Sequence, residues 1–557
     1  ISIAPSGTLS SQLAFWKYIA NAVNYAASKN AVIVFAAGNN AQALAAGGNV
    51  TGFSDAALAR MIIVGSTNAK KQLSSFSDKP GSSHFVSTSG KNVSYESMWV
   101  VADGENIYGA SRVKTSTGYN GLAIYTGTSM AAPQAAGAAG LLAAKWPFLL
   151  SQGTIPQILE TTAQDLGSAG ADTSYGKGFL RVDIAMQPVG GQYVPVASGA
   201  SVKVSSSGGG QIASGASFGN MPALASALSK AVSYDSFMRG FPLFNGKAVI
   251  TSASLLPESP ATLLAMGEIG ASARQMTRLG DHEWFTFSGA PTATDAGIAG
   301  DNQQLGFALD PTRTTGADWS YGLMRSGTYI GMGQGADAQL SFSDARWGGD
   351  SAFFNADASA ASALIATVPH AQFATMGFAL SGNSRIAASV ISQSAEVYGN
   401  VRGVDSSAVG GAIAYTMRPA ASWMVSMTSS FLSENNLLLG SRAYGNVLGV
   451  APSPLSASFG VGTNIDLGHG YQIGFDATYA TTDAAENPLS LIGRTSRLES
   501  DSFSFAFAKS NLTGANDTLH VTVSQPLRVI AGAATLTVPV GTDDNAQPII
   551  QTERVSL

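Results

Sequence analysis

The segment Gly127-Thr128-Ser129-Met130-Ala131-Ala132-Pro133 sets a hydroxyl at the mouth of a run of small apolar residues. Gly127 and Thr128 allow a tight turn from a strand into a helix. Ser129 then falls in the first helical turn, where unpaired backbone N–H groups and the helix dipole favour developing negative charge. Apart from Pro133 and Gln134, residues 131 to 142 are Ala, Gly and Leu, the composition of a helix packed closely into a core. The placement suits an activated nucleophile. The competing reading is a buried helix that Ser129 merely caps.

A second segment bears on that choice. Ala31-Val32-Ile33-Val34-Phe35 predicts a buried strand and runs straight into Ala36-Ala37-Gly38-Asn39-Asn40. Together the two segments resemble the subtilisin-like serine proteases. The resemblance implies peptide hydrolysis through an acyl-enzyme, with Ser129 as nucleophile and its backbone amide as one oxyanion donor. It also implies that the Asn39 side chain, in preference to that of Asn40, donates to the tetrahedral oxyanion. Such a donor contributes about 10² to 10³ in rate, a magnitude measured in a subtilisin and carried here by resemblance.

The family order continues through Met61-Ile62-Ile63-Val64-Gly65-Ser66, Ser74-Ser75-Phe76-Ser77 and Val101 to Ile107, and closes at Tyr175-Gly176-Lys177-Gly178-Phe179-Leu180-Arg181-Val182-Asp183. Where the family usually has Ala-Pro-Gly, this chain has Ala102-Asp103-Gly104, so the local turn is expected to differ. The resemblance covers residues 1 to about 186.

Such a mechanism needs a general base for the serine and a carboxylate to orient that base. The resemblance places both upstream of the segment that looks like Ile1 to Gly7, so the chain is expected to be cut short at its N-terminus. His84 is the one histidine before residue 187. It ends the Gly-Ser-rich stretch Gly81-Ser82-Ser83-His84 and is expected to be a solvated loop residue, not the base. Pro5 departs from the family's usual strand, and substrate preference is not legible.

At 557 residues the chain is too long for one ordinary core, so two or three domains are expected. A net charge of −5 and the absence of a Lys/Arg run exclude a nucleic-acid surface and a polybasic membrane patch. With no cysteine there are no disulfides and no thiolate metal sites, which fits a chain that crosses an oxidising compartment unfolded. No run of about eighteen apolar residues predicts a spanning helix. The chemistry requires no cofactor. Structural calcium occurs in the family, but no acidic loop here has ligand spacing that would place it.

Beyond the protease-like part, Gly190-Gly191 and the stretch from Val202 to Gly210 read as a linker, followed by a helix from Pro222 to Val232. From about residue 319 the pattern becomes alternating strands with short and long connections in turn. The clearest pair is Phe459-x-Val461-x-Thr463-x-Ile465-x-Leu467 and Tyr471-x-Ile473-x-Phe475-x-Ala477-x-Tyr479, separated by Gly468-His469-Gly470. Further hairpins are expected around Gly382-Asn383, Arg418-Pro419 and Leu512-Thr513-Gly514, with long loops at Ser433 to Gly449 and Thr481 to Ser500.

This pattern resembles an outer-membrane β-barrel, and the whole order resembles the autotransporter serine proteases. The expected fold is multidomain: the C-terminal part of an α/β subtilisin-like domain (1–186), a linker and β-rich or helical connector (187–318), and an antiparallel barrel (319–557). The barrel is expected to be incomplete, since the chain ends at Arg554-Val555-Ser556-Leu557 without a terminal aromatic strand. The implied protein is a secreted, surface-exposed endopeptidase anchored in or translocated by an outer membrane, with polypeptide substrates. Two alternatives stand beside it: an inactive protease homologue serving as adhesin or scaffold, and a soluble secreted protease with a β-rich accessory domain.

Overall fold

Three stretches apolar on both phases, Ile33–Ala36, Met61–Thr67 and Trp99–Asp103, form a parallel sheet in that order. Strands buried on both faces need cover on both, and the sequence supplies it. On one face Val34, Ala36, Ile62, Val64, Val100 and Ala102 meet Ala131, Ala132, Ala135, Ala138 and Leu142 of the helix Thr128–Lys145. On the other, Ile33, Phe35, Met61, Ile63, Trp99 and Val101 meet Trp16, Ala20, Val23 and Ala27 of the helix Leu9–Ser28. Alanines along the serine helix let its backbone approach the sheet closely.

In the computed structural model the described residues are 9–43, 49–116, 118–205, 208–219, 221–244, 246–251, 275–280, 283–288, 318–325, 327–334, 342, 346, 363–368, 371–393, 406–449, 454–512 and 518–557. The expected family segment at Ile1 to Gly7 lies outside them. The chain divides into two compact units. The first comprises Ile1–Tyr193, Ser233–Phe241 and Val540–Ile549; the second comprises Val194–Val232, Pro242–Pro539 and Ile550–Leu557.

The first unit thus recruits two segments that the sequence assigned to the connector and the barrel. Asp235 and Arg239 hold the nearer one. Their ion pair, at 2.7 Å, has no exposed side-chain surface. Arg239 also donates to the carbonyls of Ala185 and Gln187 and lies over the ring of Trp146, while Asp235 accepts from the backbone N–H of Val189. In the farther one, the Gly541 carbonyl accepts from the Tyr234 hydroxyl and Thr542 donates to the Met238 carbonyl.

The second unit is built on one sheet of 12 strands, antiparallel between sequence neighbours. It runs from Gln275–Gly280 through Glu283–Ser288 and Asp318–Arg325 to Leu498–Ser510 and Thr518–Ala531. The sheet therefore starts ahead of the boundary expected at 319. It also ends before the C-terminus: Ala533–Thr542 and Pro548–Ser556 belong to a separate four-stranded sheet with Ala485–Glu486 and Ile492–Thr495. Alternation alone could not distinguish these sheets, because both share the same period. Among the described residues no pairing joins the first strand of the large sheet to the last, so the expected closed barrel is not shown.

The expected hairpin between Phe459 and Tyr479 is present, and His469 and Gly470 both adopt positive φ in its two-residue turn. The turn expected at Arg418-Pro419 falls later. Strands Ser407–Ala420 and Trp423–Asn435 are joined by Ala421 and Ser422, because the ladder tolerates Pro419 near a strand end. The expected Leu512-Thr513-Gly514 turn lies partly outside the described residues, as does much of the connector. The long loops carry their own short strands, at Leu437–Leu438, Ser441–Tyr444, Ala485–Glu486 and Ile492–Thr495.

The polarity of the large sheet is inverted. Along Leu455–Gly468 the exposed phase carries Leu455, Ala457, Phe459 and Val461, while the buried phase carries Ser456, Ser458, Gly460, Gly462 and Asn464. Trp423–Asn435 and Leu498–Ser510 repeat it, with Met427, Phe431, Phe503 and Phe505 exposed and Ser426, Thr428, Ser430, Ser502 and Ser504 buried. Buried hydroxyls pair across strands, Ser456 with Thr482 at 2.8 Å and Thr375 with Ser389 at 3.0 Å. A buried ion pair, Arg346 with Asp476 at 3.1 Å, lies on the same phase. Among the described residues no helix is long and apolar enough to cross a membrane.

Candidate active site

The serine helix begins where the chain leaves an antiparallel hairpin, Ile107–Thr115 with Gly118–Tyr125, at Gly127. Gly127 has φ +152°, a conformation that side chains rarely adopt, and its N–H donates to the Gly104 carbonyl at 2.8 Å. Gly104 is needed for a different reason: a Cβ there would collide with the Ser66 side chain and lie 2.8 Å from the Gly127 carbonyl. These two close approaches set the end of the strand Trp99–Asp103 against the start of the helix. The unusual Asp103 fits the turn. Its carboxylate accepts from the Thr67 hydroxyl at 3.3 Å, and its carbonyl accepts from the Gln134 amide at 2.5 Å.

Ser129 is the second residue of the helix and half-buried. Asn39, at the C-terminal end of the strand Ile33–Ala36 and its following turn, is brought beside it from the neighbouring loop. The Asn39 Oδ1 accepts from both the backbone N–H and the hydroxyl of Thr128, each at 2.9 Å. A backbone N–H can only donate, so the amide orientation follows from this contact. Its Nδ2 lies on the Gly127 side, 3.4 Å from where a Cβ of that glycine would sit. Thr128 in turn accepts from the Gly38 N–H at 3.2 Å. The Asn39 carboxamide is thereby tied to the N-terminus of the helix whose second residue is the half-buried Ser129.

Asn40 is turned elsewhere. Its backbone N–H donates to Asp78 Oδ1 at 2.9 Å and its Nδ2 approaches Asp78 Oδ2 at 3.4 Å. Asp78 also accepts from the Gln42 N–H at 2.9 Å. Burial pushes its carboxyl up, while the bonds from Gln42 and Asn40 pull it down. In the sequence Thr128 reads only as part of the turn into the helix, without its bonds to Asn39, and Asp78, which follows directly on Ser74-Ser75-Phe76-Ser77, carries no signal of its own.

His84 is exposed, but in a strand, not a loop. It opens His84–Ser87 and pairs with Asn49 and Ser94 across two neighbours, since a Gly-Ser-rich approach does not prevent a β-branched continuation from joining a sheet. Among the described residues no hydrogen bond links a histidine to Ser129. Nor, among them, does any group of three or more His, Asp or Glu side chains stand ready to hold a metal ion.

Residues 3–178 match the subtilase family, Peptidase_S8. The chain is 36% identical over 159 residues to a thermophilic serine proteinase of Bacillus sp. strain AK1, covering 28% of this chain and 31% of that one. It is 33% identical over 166 residues to subtilisin DY of Bacillus licheniformis, covering 30% and 50%. An extracellular protease of Xanthomonas campestris pv. campestris is 31% identical over 167 residues, covering 30% and 25%. The chain thus spans half or less of the length of these relatives. The N-terminal part, residues 3–178, is a subtilase-family domain.

Proposed function

We propose that this chain is the catalytic and membrane-anchoring portion of a serine endopeptidase of the autotransporter type. In this reading the Ser129 Oγ attacks the scissile carbonyl as a base takes its proton, the C–N bond breaks as that proton passes to the leaving amine, and water then hydrolyses the acyl ester to free the carboxylic product and Ser129. The Asn39 Nδ2 and the Ser129 backbone N–H receive the oxyanion. The observation that carries it is the pair of hydrogen bonds from Thr128 to Asn39 Oδ1, which ties the Asn39 carboxamide to the residue before Ser129 and makes Oδ1 the acceptor and Nδ2 the remaining donor. Base and orienting carboxylate must come from a segment joined to, or bound by, the residues described. The reading is tested by labelling full-length protein with a fluorophosphonate and following hydrolysis of a denatured protein. Labelling and hydrolysis that both vanish in Ser129→Ala are expected; hydrolysis that survives would overturn it, and an inactive scaffold would show neither.

The inverted polarity of the large sheet supports the second half. A soluble sheet hides its apolar phase and wets its polar one, whereas a membrane-spanning barrel does the reverse because lipid is its outer solvent. In this reading Gln275–Gly280 closes onto Thr518–Ala531 in an outer membrane. Folded barrels change gel mobility on heating. A full-length protein found wholly in the soluble fraction, with no heat-modifiable band, would favour the accessory-domain alternative.

A further inference from the structure

We propose that Asp78 is a positioning residue for the oxyanion donor, acting through the backbone on either side of Asn39; this rests on the catalytic reading of Ser129 and Asn39. A carboxylate only 5% exposed is costly to bury, and among the described residues no cation forms an ion pair with it. Its partners belong to one short loop. Oδ1 accepts from the N–H groups of Asn40 and Gln42, and the Asp78 N–H donates to the Gly38 carbonyl at 2.9 Å. Asn39 is thereby bracketed at the residue before it and the residue after it.

The bracket is itself anchored to the central sheet. The Ser77 hydroxyl donates to the Asp78 carbonyl at 3.0 Å and accepts from the Ser66 N–H at 3.0 Å, and Ser66 belongs to the strand Met61–Thr67. Two further backbone bonds, Ala41 N–H to Phe76 and Lys79 N–H to Gln42, run beside it. The Asn39 side chain is held from the other direction by Thr128. Its Nδ2 thus has a direction set at both ends of the residue, by Asp78 on the main chain and by Thr128 on the side chain. An oxyanion donor contributes only when its direction is set before charge develops, so loss of the bracket should act on the rate and not on substrate binding.

A double-mutant cycle on the full-length protein tests this, with kcat and KM measured separately and unfolding midpoints recorded for every variant. Asp78→Ala should lower kcat about 10- to 100-fold with KM changed less than about 3-fold, the size expected for misplacing one group by roughly an ångström. In an Asn39→Ala background the same substitution should change kcat by less than about 2-fold, since the group it positions is already gone. Asp78→Asn keeps an oxygen for the Asn40 and Gln42 N–H groups and should recover most of the rate; it also carries the test where the alanine variant does not fold. Losses that multiply in the double variant, or an asparagine variant as slow as Asn39→Ala, would overturn the proposal while leaving the catalytic reading intact. A wild-type protein without Ser129-dependent hydrolysis would overturn both.

Discussion

The carboxamide oxygen of Asn39 takes two hydrogen bonds from a single residue, Thr128, whose successor is Ser129. That contact joins the loop after one strand to the mouth of the serine helix, and it divides two adjacent asparagines into different roles. Asn39 faces the helix; Asn40 faces Asp78.

Asn39→Ala should therefore lower kcat by about 10² to 10³ with little change in KM. Asn40→Ala should cost less than about 3-fold, since its side-chain contact at 3.4 Å is a weak one. Thr128→Val should be worse than Thr128→Ser, because it also leaves the buried Gly38 N–H without its acceptor, a loss of about 1 to 3 kcal/mol in stability. Steady-state kinetics with thermal unfolding checks all four variants, and equal losses at both asparagines would refute the division.

The Asp235–Arg239 pair makes a prediction about the first unit. Removing one partner leaves a buried charge alone, so Arg239→Met or Asp235→Asn should each destabilise this unit by about 3 to 5 kcal/mol. The double variant should lose less than the sum of the two. Denaturant unfolding of the three variants reads this directly; additive losses would mean that the ion pair is not the coupling element.

Glu160 predicts a pH dependence. Burial pushes its carboxyl up to about 8 from an ordinary value of 4.5, with Lys177 pulling the other way. Between those values the folded protein keeps a proton that the unfolded chain has lost, so the stability present at lower pH drains as pH rises through about 8. Glu160→Gln cannot ionise. Its unfolding midpoint should exceed that of the wild type near pH 9 and match it near pH 4, by linkage at about those two limits. Parallel curves across this range would show that Glu160 titrates normally.

The large sheet predicts an alternation. Phe475 is exposed and Asp476 buried on the same strand, so Phe475→Arg should cost about 2 to 4 kcal/mol if its face meets lipid at mid-depth, and Phe475→Leu very little. Urea unfolding in detergent micelles or lipid vesicles reports it. An arginine tolerated at 475, 459 and 461 alike would argue for an exposed face in water.

Much of the subtilase-like part was legible in the sequence because its signals are local. A strand apolar on both phases, a glycine before a serine, and a run of alanines each constrain their own few residues, so Ile33–Ala36 and the helix at Ser129 could be read without a partner in view. Tertiary structure alone decided what depends on residues distant in the chain. Asp78 claims Asn40 across 38 positions and leaves Asn39 to Thr128, across 89. Arg239 draws a connector segment onto Ala185 and Gln187. Period-two alternation identified strands but not the sheet each would join, because strands of the 12-stranded sheet and of the four-stranded one share that period. Nor does alternation reveal which phase is buried; that depends on which face of the folded sheet is covered, and here the covered phase carries serines and threonines while Phe459 and Val461 are exposed.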